Sequence, residues 1–203
     1  MDEAPILHLA SASPRRREIL AAIGVKHTWQ GVELDETPLP GEPADALALR
    51  LALAKARKSR ETRSAEPVIL GADTVVVLDG LTFGKAGSED EALFMLSRLS
   101  GRVHRVFTAV ALDTRDGHRT ALSQSDVRLR EIAPDEALRY WRSGEPRGKA
   151  GAYAIQGVGG IFVEALSGSY TGVVGLPVFE TASLLRQAGI DLLRPGSLSG
   201  GAQ

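Results

Sequence analysis

The segment VILGADTVVVLDG, residues 68–80, decides the fold class of this 203-residue chain. It is rich in β-branched residues, which favour an extended strand, and it closes on Asp79-Gly80, a pair typical of a β-hairpin turn. Asp116-Gly117 marks a second such turn. The two hairpins imply antiparallel strand pairs, and predicted helices separate the remaining strands. The sequence therefore predicts an α/β or α+β fold with a mixed sheet.

The remaining segments follow helical or strand periods. Ser13-Pro14 supplies an N-cap and a first-turn proline for a helix that ends at Gly24, and apolar residues at helical spacing predict a helix over 44–58. The tail, residues 195–203, is rich in Gly, Ser and Pro and is predicted to be disordered, which leaves one domain over 1–194. Further helices are predicted over 88–99, 134–144 and 177–187, and strands over 6–10, 68–78, 103–112, 120–130 and 161–166.

The composition excludes several classes of function. Lys plus Arg total 24 against 25 for Asp plus Glu, so a net charge of -1 gives no general attraction to nucleic acid or to an anionic membrane. The absence of cysteine excludes disulfides, thiolate metal sites and a cysteine nucleophile. The N-terminus lacks the layout of a secretory signal, and no apolar run reaches the roughly 20 residues of a membrane span. We expect a cytoplasmic protein in which a polyanion would bind only at a local cluster of positive charge.

The first candidate site is the segment SASPRRR, residues 11–17, at the start of the first predicted helix. Free backbone N–H groups and the positive end of the helix dipole favour an anion at such a position. Three arginines there oppose the dipole, at a cost of about 0.3–1 kcal/mol each, which suggests that an anion binds beside them. The alternative is an exposed basic turn with an ordinary Ser-Pro helix start.

The second candidate is Asp73, which interrupts an apolar strand within the motif Gly-Ala-Asp-Thr, residues 71–74. A carboxylate in that position faces either a functional site or a poorly solvated interior, where it is costly. Binding a metal or transferring a proton would explain it, and Gly71 and Ala72 leave room for close approach of a ligand. The alternative is a structural carboxylate that caps a loop or pairs with an arginine.

The third candidate is the run GKAGAYAIQGVGG, residues 148–160, which contains too many glycines for a packed strand. Its backbone can approach another group closely, but the run matches neither a Walker A loop nor a dinucleotide-binding fingerprint. A flexible surface loop is the alternative. The scattered histidines show no metal-ligand spacing and no serine lies in a nucleophile elbow, which argues against histidine-centred hydrolysis.

Five charged residues complete this set of candidates. Lys55 and Lys85 each lie on a helix face or within a few residues of a glycine, and the three acidic residues of a Pro-rich loop are Glu33, Asp35 and Glu36. Each taken alone is typical of a protein surface. Together with Asp73 and the arginines they offer carboxylates for a hard divalent cation and cations for a triphosphate, which is what phosphoryl chemistry requires.

Taken in order along the chain, these motifs resemble those of the Maf-like nucleoside triphosphate pyrophosphatases. The resemblance covers about residues 7–185, nearly the whole chain, and agrees in both order and spacing. It implies an α/β fold of the Maf/inosine-triphosphatase-like kind, with an elongated, curved mixed sheet flanked by helices and two lobes around a nucleotide cleft. A homodimer is compatible with it. The matching motifs are LASASPRR at 9–16, AKA at 54–56, GADT at 71–74, LSG at 99–101, KAGAYAIQG at 149–157 and VGLP at 174–177.

The resemblance also implies an activity, the hydrolysis of a nucleoside triphosphate to the monophosphate and pyrophosphate with Mg²⁺ or Mn²⁺. Asp73 is similar to the family's proton acceptor and, with Glu36, would hold the metal. The KAGAYAIQ motif resembles the branch that acts on dTTP and UTP, in which unwanted or modified nucleotides are removed. In that branch Arg15, Thr74 and Gln156 match the specificity positions. The implied substrate-binding residues are Ser11, Arg15, Arg16, Lys55, Thr74, Lys85 and Gln156.

Two rival functions belong to other classes. A nucleotide-sensing regulator would need the cleft but not Asp73. An RNA-binding module would need basic patches and stacking aromatic residues, and the balanced charge with only 5% aromatic residues argues against it.

Overall fold

The computed structural model describes residues 7–66 and 68–193, which contain one seven-stranded sheet with helices on both faces. The strand order is β2-β1-β3-β5-β6-β7, and β4 also pairs with β3. β1 is parallel to β2 and β3, and the other pairs are antiparallel, which confirms the predicted mixed α/β sheet. The strands are β1 Leu7–Leu9, β2 His27–Trp29, β3 Val68–Leu78, β4 Leu81–Phe83, β5 Val103–Thr114, β6 Gly117–Leu129 and β7 Val163–Ser167. The helices are α1 Pro14–Ala22, α2 Ala44–Thr62, α3 Glu89–Leu99, α4 Pro134–Arg142, α5 Tyr170–Val174 and α6 Val178–Gln187, with a 3₁₀ helix at Val158–Phe162.

Strand β3 organises the core because its alternate side chains point to opposite faces of the sheet. On one face, Ile69 and Val75 belong to a hydrophobic cluster with helix α2. On the other face, Leu70 packs with β1, α1 and α6, whereas Val76 packs in a separate cluster with α3 and α4. Thr74 lies between these two clusters, so one strand crosses the boundary between two packed lobes.

One edge of β3 is interrupted at the same place. β1 pairs only with Ile69 and Leu70, and β4 pairs only with residues 76–78, whereas β5 pairs along the whole opposite edge. Within the described ranges no strand pairs with residues 71–75 on the first edge. Asp73 and Thr74 therefore lie at a gap between two short strands, where side chains from either face can reach a common cleft.

Helix α2 lies unusually close to this part of β3 because of Gly71. A Cβ atom at position 71 would overlap the carbonyl oxygen of Ala52 and lie 2.8 Å from the amide nitrogen of Ala56. The sequence-based suggestion that Gly71 leaves room for a ligand is therefore wrong, because the helix backbone occupies that space. The contact brings Lys55 beside Asp73, two residues further along the same face of β3.

The predicted elements differ from the structure mainly at their ends. Helix α2 continues to Thr62, four residues beyond the predicted end. The predicted strands 103–112 and 120–130 extend towards each other, because β5 and β6 pair as far as Thr114 and Gly117 and leave a tighter turn. The Thr114 hydroxyl closes this tighter turn by donating to the Gly117 carbonyl. Part of the predicted strand 161–166 is instead the end of the 3₁₀ helix. The predicted tail, residues 195–203, lies outside the described residues, and the single-domain boundary at 194 stays a prediction.

No helix in the described ranges combines the length and the apolar character needed to cross a bilayer.

Candidate active site

The gap beside β3 opens into a cleft of about 600 Å³. Its walls come from the β1–α1 turn, the loop after β2, helix α2, strand β3, the loop after β4, the segment between α4 and the 3₁₀ helix, and the end of α5. Glu33 and Asp35, from the same loop as Glu36, are not among the residues that line the cleft. The structure does bring together there all nine residues that the resemblance implies; their individual roles stay predictions. They are Ser11, Arg15, Arg16, Glu36, Lys55, Asp73, Thr74, Lys85 and Gln156.

A buried lysine joins the two carboxylates at the centre of the cleft. The Nζ atom of Lys55 lies 2.6 Å from Oδ1 of Asp73 and 2.5 Å from Oε1 of Glu36. Lys55 and Asp73 are only 7% and 6% exposed. Lys85 approaches from the open side, with its Nζ atom 3.6 Å from Oε2 of Glu36. Because the ammonium group neutralises part of their charge, two carboxylates can lie close together in a partly desolvated site.

The electrostatics of Glu36 follow from these contacts. Burial raises the pKa of Glu36, but the hydrogen bond and charge of Lys55, with a smaller effect of Lys85, outweigh burial and hold that pKa below its ordinary value. Glu36 is therefore ionised at neutral pH. One oxygen of each carboxylate contacts Lys55, and Oδ2 of Asp73 accepts no hydrogen bond from the described part of the chain.

Two of the three consecutive arginines line the cleft. Arg16 donates from Nε to the Gly175 carbonyl at 2.8 Å and from a terminal nitrogen to Oγ of Ser11 at 3.1 Å. Arg15 donates from Nε to the Val174 carbonyl at 3.3 Å. Burial lowers the pKa of both guanidinium groups, yet an arginine stays charged at neutral pH. None of these partners is charged, so each arginine is held in place while its net positive charge is retained.

The third arginine has a different role from the one its position suggests. The guanidinium group of Arg17 stacks on the ring of Trp29 in β2, 3.9 Å from its centre. A cation–π contact of this kind stabilises the packing of α1 on β2 and needs no anion. The inference from three arginines to a bound anion therefore applies to Arg15 and Arg16 alone.

Hydroxyl groups orient the buried arginine. Ser11 accepts hydrogen bonds from Arg16 and from the Ser13 amide, and Thr74 Oγ1 lies 3.4 Å from the other terminal nitrogen of Arg16. Thr108 donates to the Gly172 carbonyl at 2.7 Å, so the Thr74 hydroxyl, 3.1 Å away, can donate to Thr108. Ser11 and Thr74 thus fix Arg16, in addition to any contact with a substrate.

The opposite wall contains residues to which the sequence motifs assigned no role. Arg147, Lys149 and Tyr153 line the cleft. Burial, followed by the nearby charge of Arg15, lowers the pKa of Lys149. The cleft is lined by six Arg or Lys side chains and only two carboxylates, so it carries a local positive charge in a chain whose net charge is -1. Four of these cations were predicted from the sequence, whereas Arg147 and Lys149 could not be recognised because they resemble ordinary surface charges.

The donor groups suit a divalent cation that arrives with a phosphate ligand. The described residues contain no group of three or more His, Cys, Asp or Glu placed to hold a metal by themselves. Mg²⁺ commonly binds through one or two carboxylates while phosphate oxygens and water complete its octahedral shell. Glu36 and Asp73 provide that number of carboxylates at the centre of a cationic cleft. The residues present therefore fit a metal bound jointly by protein and substrate.

Known proteins that resemble this chain include two sequence relatives and one solved structure. A dTTP/UTP pyrophosphatase of Methylococcus capsulatus is 49% identical over 188 residues, covering 93% of each chain. A dTTP/UTP pyrophosphatase of Alkalilimnicola ehrlichii is 48% identical over 195 residues, covering 94% of this chain and 96% of its own. Among solved structures, a nucleoside-triphosphatase (dITP/XTP pyrophosphatase) from Mycobacterium abscessus matches with 17% identity and a TM-score of 0.39, covering 61% of this chain and 73% of its own.

The family model described as "Maf-like protein" matches residues 6–188. This range contains every residue that lines the cleft. The resemblance inferred from the short motifs is thereby confirmed over nearly the whole sequence, and the chain belongs to the Maf-like protein family.

Proposed function

We propose that this chain is a nucleoside triphosphate pyrophosphatase that hydrolyses dTTP and UTP to the monophosphate and pyrophosphate. The observation that carries the proposal is the pair of carboxylates, Asp73 and Glu36, held around Lys55 in a cleft lined by six cations. The names of the relatives that cover almost the whole chain support the same activity. A triphosphate matches the cationic walls, and the carboxylates match a metal and a proton acceptor.

The proposed nucleophile is water that attacks the α-phosphorus. Within the described residues the cleft lining contains no histidine, and the chain has no cysteine, so no serine–histidine or cysteine nucleophile is available. Lys55 holds Oδ1 of Asp73, which leaves Oδ2 free to orient the water and accept its proton. Arg15, Arg16 and Lys85 would stabilise the negative charge that develops on the leaving pyrophosphate.

The proposal includes a divalent cation, Mg²⁺ or Mn²⁺, held by Glu36 and Asp73. When bound, such an ion polarises phosphate oxygens and makes a coordinated water more acidic. Lys55 would keep the two carboxylates correctly spaced, since its ammonium group already contacts both of them.

Base recognition is assigned to Gln156, which is exposed in the cleft wall. Among the described residues its amide has no hydrogen-bond partner, so both its donor and its acceptor are available. Uracil and thymine present an adjacent carbonyl and N–H that one amide can pair with, whereas cytosine presents a different pattern and a purine needs more room. The amide thus accounts for preference between bases without any contact to the sugar.

The physiological part of the proposal is the removal of unwanted or modified pyrimidine nucleotides in the cytoplasm, by a protein that acts on free nucleotides rather than on nucleic acid. A homodimer is compatible with it.

A nucleotide panel with Mg²⁺ tests the activity. We expect pyrophosphate, not orthophosphate, as the first product, and specificity constants for UTP and dTTP about 100-fold above those for CTP, ATP and 7-methyl-GTP, because a site built around hydrogen bonds rejects partners that leave them unpaired. Excess chelator should abolish turnover.

Three results would contradict this proposal, namely orthophosphate as the first product, full activity in excess chelator, or preference for a purine. A nucleotide sensor would instead bind UTP and release neither product, so a binding measurement on the same nucleotides separates the two functions.

A further inference from the structure

The glycine-rich run, residues 148–160, approaches two side chains of the protein itself. A Cβ atom at Gly157 would overlap the carboxylate of Glu145, and a Cβ atom at Gly159 would overlap the hydroxyl of Tyr140. The close approach that this motif predicts is therefore made to Glu145 and Tyr140, which lie just after and within helix α4. Neither residue is part of the cleft lining.

Glu145 acts as the anchor of this run. Its Oε1 accepts hydrogen bonds from the Tyr140 hydroxyl at 2.7 Å and from the Gly159 amide at 2.9 Å. Its Oε2 accepts from the Val158 amide at 2.9 Å. Burial raises the pKa of Glu145, but the hydrogen bonds from Gly159, Tyr140 and Val158 outweigh burial and keep that pKa below its ordinary value. Both oxygens of an ionised carboxylate are thus occupied by donors.

Tyr140 and Glu145 also form hydrogen bonds with the cleft-lining segment, residues 147–156, towards both of its ends. The Tyr140 hydroxyl accepts a hydrogen bond from the Ala154 amide at 3.0 Å, and the backbone carbonyl of Glu145 accepts one from Nζ of Lys149. Gln156 lies between the points fixed at Ala154 and Val158. Its backbone is therefore held from both sides, while its side-chain amide remains available to the cleft.

We propose that Glu145, acting with Tyr140, is a positioning residue for base recognition, which fixes the backbone around Gln156 so that its amide faces the pyrimidine. This inference rests on the proposed pyrophosphatase activity. Glu145 itself contacts neither the base nor the phosphates, so its removal should weaken recognition of the pyrimidine more than the chemical step.

Glu145→Gln is the direct test, because the amide is isosteric but replaces one acceptor oxygen with a donor. Whichever oxygen is replaced, the new NH₂ group faces an N–H donor. We expect the KM for UTP to rise about tenfold, the effect of losing one charge-assisted hydrogen bond, with kcat within about threefold of wild type. The ratio of UTP to CTP specificity constants should fall, and amide hydrogen exchange in residues 154–159 should accelerate.

Glu136→Gln is the matched control. Glu136, at the other end of α4, also uses a carboxylate to accept a backbone amide, that of Ala133 at 3.0 Å, together with Arg130, but it does not line or support the cleft. It should leave KM and the base ratio unchanged. Gln156→Ala sets the size of the effect expected when recognition by the amide is lost altogether. If Glu145→Gln does not fold, Tyr140→Phe, which loses only the shared hydroxyl, should change the same quantities in the same direction.

The outcomes separate the two claims. If the wild type hydrolyses no pyrimidine nucleotide, the proposed function fails. If the wild type is active while Glu145→Gln and Tyr140→Phe retain its KM and its UTP-to-CTP ratio, the positioning role is overturned and the proposed function stands. A loss confined to kcat would equally overturn it, because it would place the effect on the chemical step.

Discussion

At the scale of single residues, the site is dominated by the contact of one ammonium group with two carboxylates. Lys55 and Asp73 are almost fully buried, and a buried charge that loses its partner is strongly destabilising. Removing the ammonium group would leave two like charges close together, whereas neutralising Asp73 leaves Lys55 paired with Glu36. Substituting Asp73 should therefore remove its catalytic contribution with less destabilisation of the fold than substituting Lys55.

We predict that Asp73→Asn folds and binds UTP but loses at least about 100-fold in kcat, as expected when a proton acceptor or metal ligand is removed. Steady-state kinetics and a binding titration on one preparation check this. Asp79→Asn is the control, because Asp79 lies at the exposed hairpin turn of the same strand, with a φ of 52° that asparagine tolerates. Turnover of Asp73→Asn within a few-fold of wild type would make Asp73 a structural residue.

Among the nine residues that the structure brings to the cleft, Asp73, Arg15 and Arg16 could be singled out from local sequence. Glu36, Lys55 and Lys85 look like surface charges one by one, and they suggested a site only as a set. An aspartate inside an apolar strand conflicts with the preference of buried strands for apolar residues. Arginines at a helix start conflict with the preference of that position for negative charge, and such conflicts commonly mark functional residues. Arg147 and Lys149 carry no such conflict, since a cation in a polar loop is ordinary. The contact of Arg17 with Trp29 could not be predicted, because Trp29 lies in a strand too short to show a pattern.

At the scale of elements, the approach of α2 to β3 determines where Lys55 lies. The only side chain that fits at position 71 is a hydrogen atom, because the helix backbone at Ala52 and Ala56 occupies the space of a Cβ. Lys55 immediately precedes Ala56, so any outward shift of the helix would move its ammonium group away from Asp73. Stability and activity are coupled through this one contact.

We predict that Gly71→Ala lowers the free energy of unfolding by about 3 kcal/mol, the cost of overpacking against an unyielding backbone. For a chain of this size the change corresponds to a fall in Tm of about 10 °C. Gly84→Ala is the control, since a Cβ there meets no heavy atom within 4 Å and its φ is outside the left-handed region. Equal Tm values for the two variants would show that α2 can move at no cost.

The long elements were predictable, whereas several of the short ones were not. β3 matches its predicted bounds because β-branched residues and Asp79-Gly80 define both its length and its end. β2 and α5 were missed, since three to five residues are too few to reveal a period. β4 was implied by the hairpin turn at Asp79-Gly80, but the sequence predicted no bounds for it. Their positions depend on tertiary contacts such as Arg17 on Trp29, which no local pattern encodes.

At the scale of the whole molecule, long strands run through both lobes, and within the lobe that contains α3 and α4 a buried side chain connects the sheet to the cleft wall. His104 of β5, only 2% exposed, has its Nε2 atom 2.8 Å from the Tyr153 hydroxyl, and the two rings meet edge to face at 5.4 Å. The Nδ1 atom of His104 is buried with no partner among the described residues. The imidazole is therefore accommodated in its neutral form only.

Burial lowers the pKa of His104 to about 4, and the opposing charge of Asp126 is the smaller influence. In the unfolded chain the same group has its ordinary pKa of 6.5. As the pH falls from 6.5 towards 4, the unfolded state therefore gains a proton that the folded state does not, and stability is lost. Above pH 6.5 both states are neutral at this position and its contribution is complete.

We predict that the free energy of unfolding falls by about 2 kcal/mol through His104 between pH 8 and pH 5, as linkage requires for this pKa difference. Burial also lowers the pKa of His8, which acts in the same direction, so the variant His104→Gln should reduce the slope without abolishing it. Glutamine can still hydrogen bond to the Tyr153 hydroxyl but does not titrate.

His118→Gln, at an exposed position on the β5–β6 hairpin, should keep the wild-type slope. Urea unfolding at several pH values measures all three proteins. If His104→Gln and the wild type show the same dependence on pH, His104 takes up a proton in the folded state, and the contact between β5 and the cleft wall must then accommodate a charge.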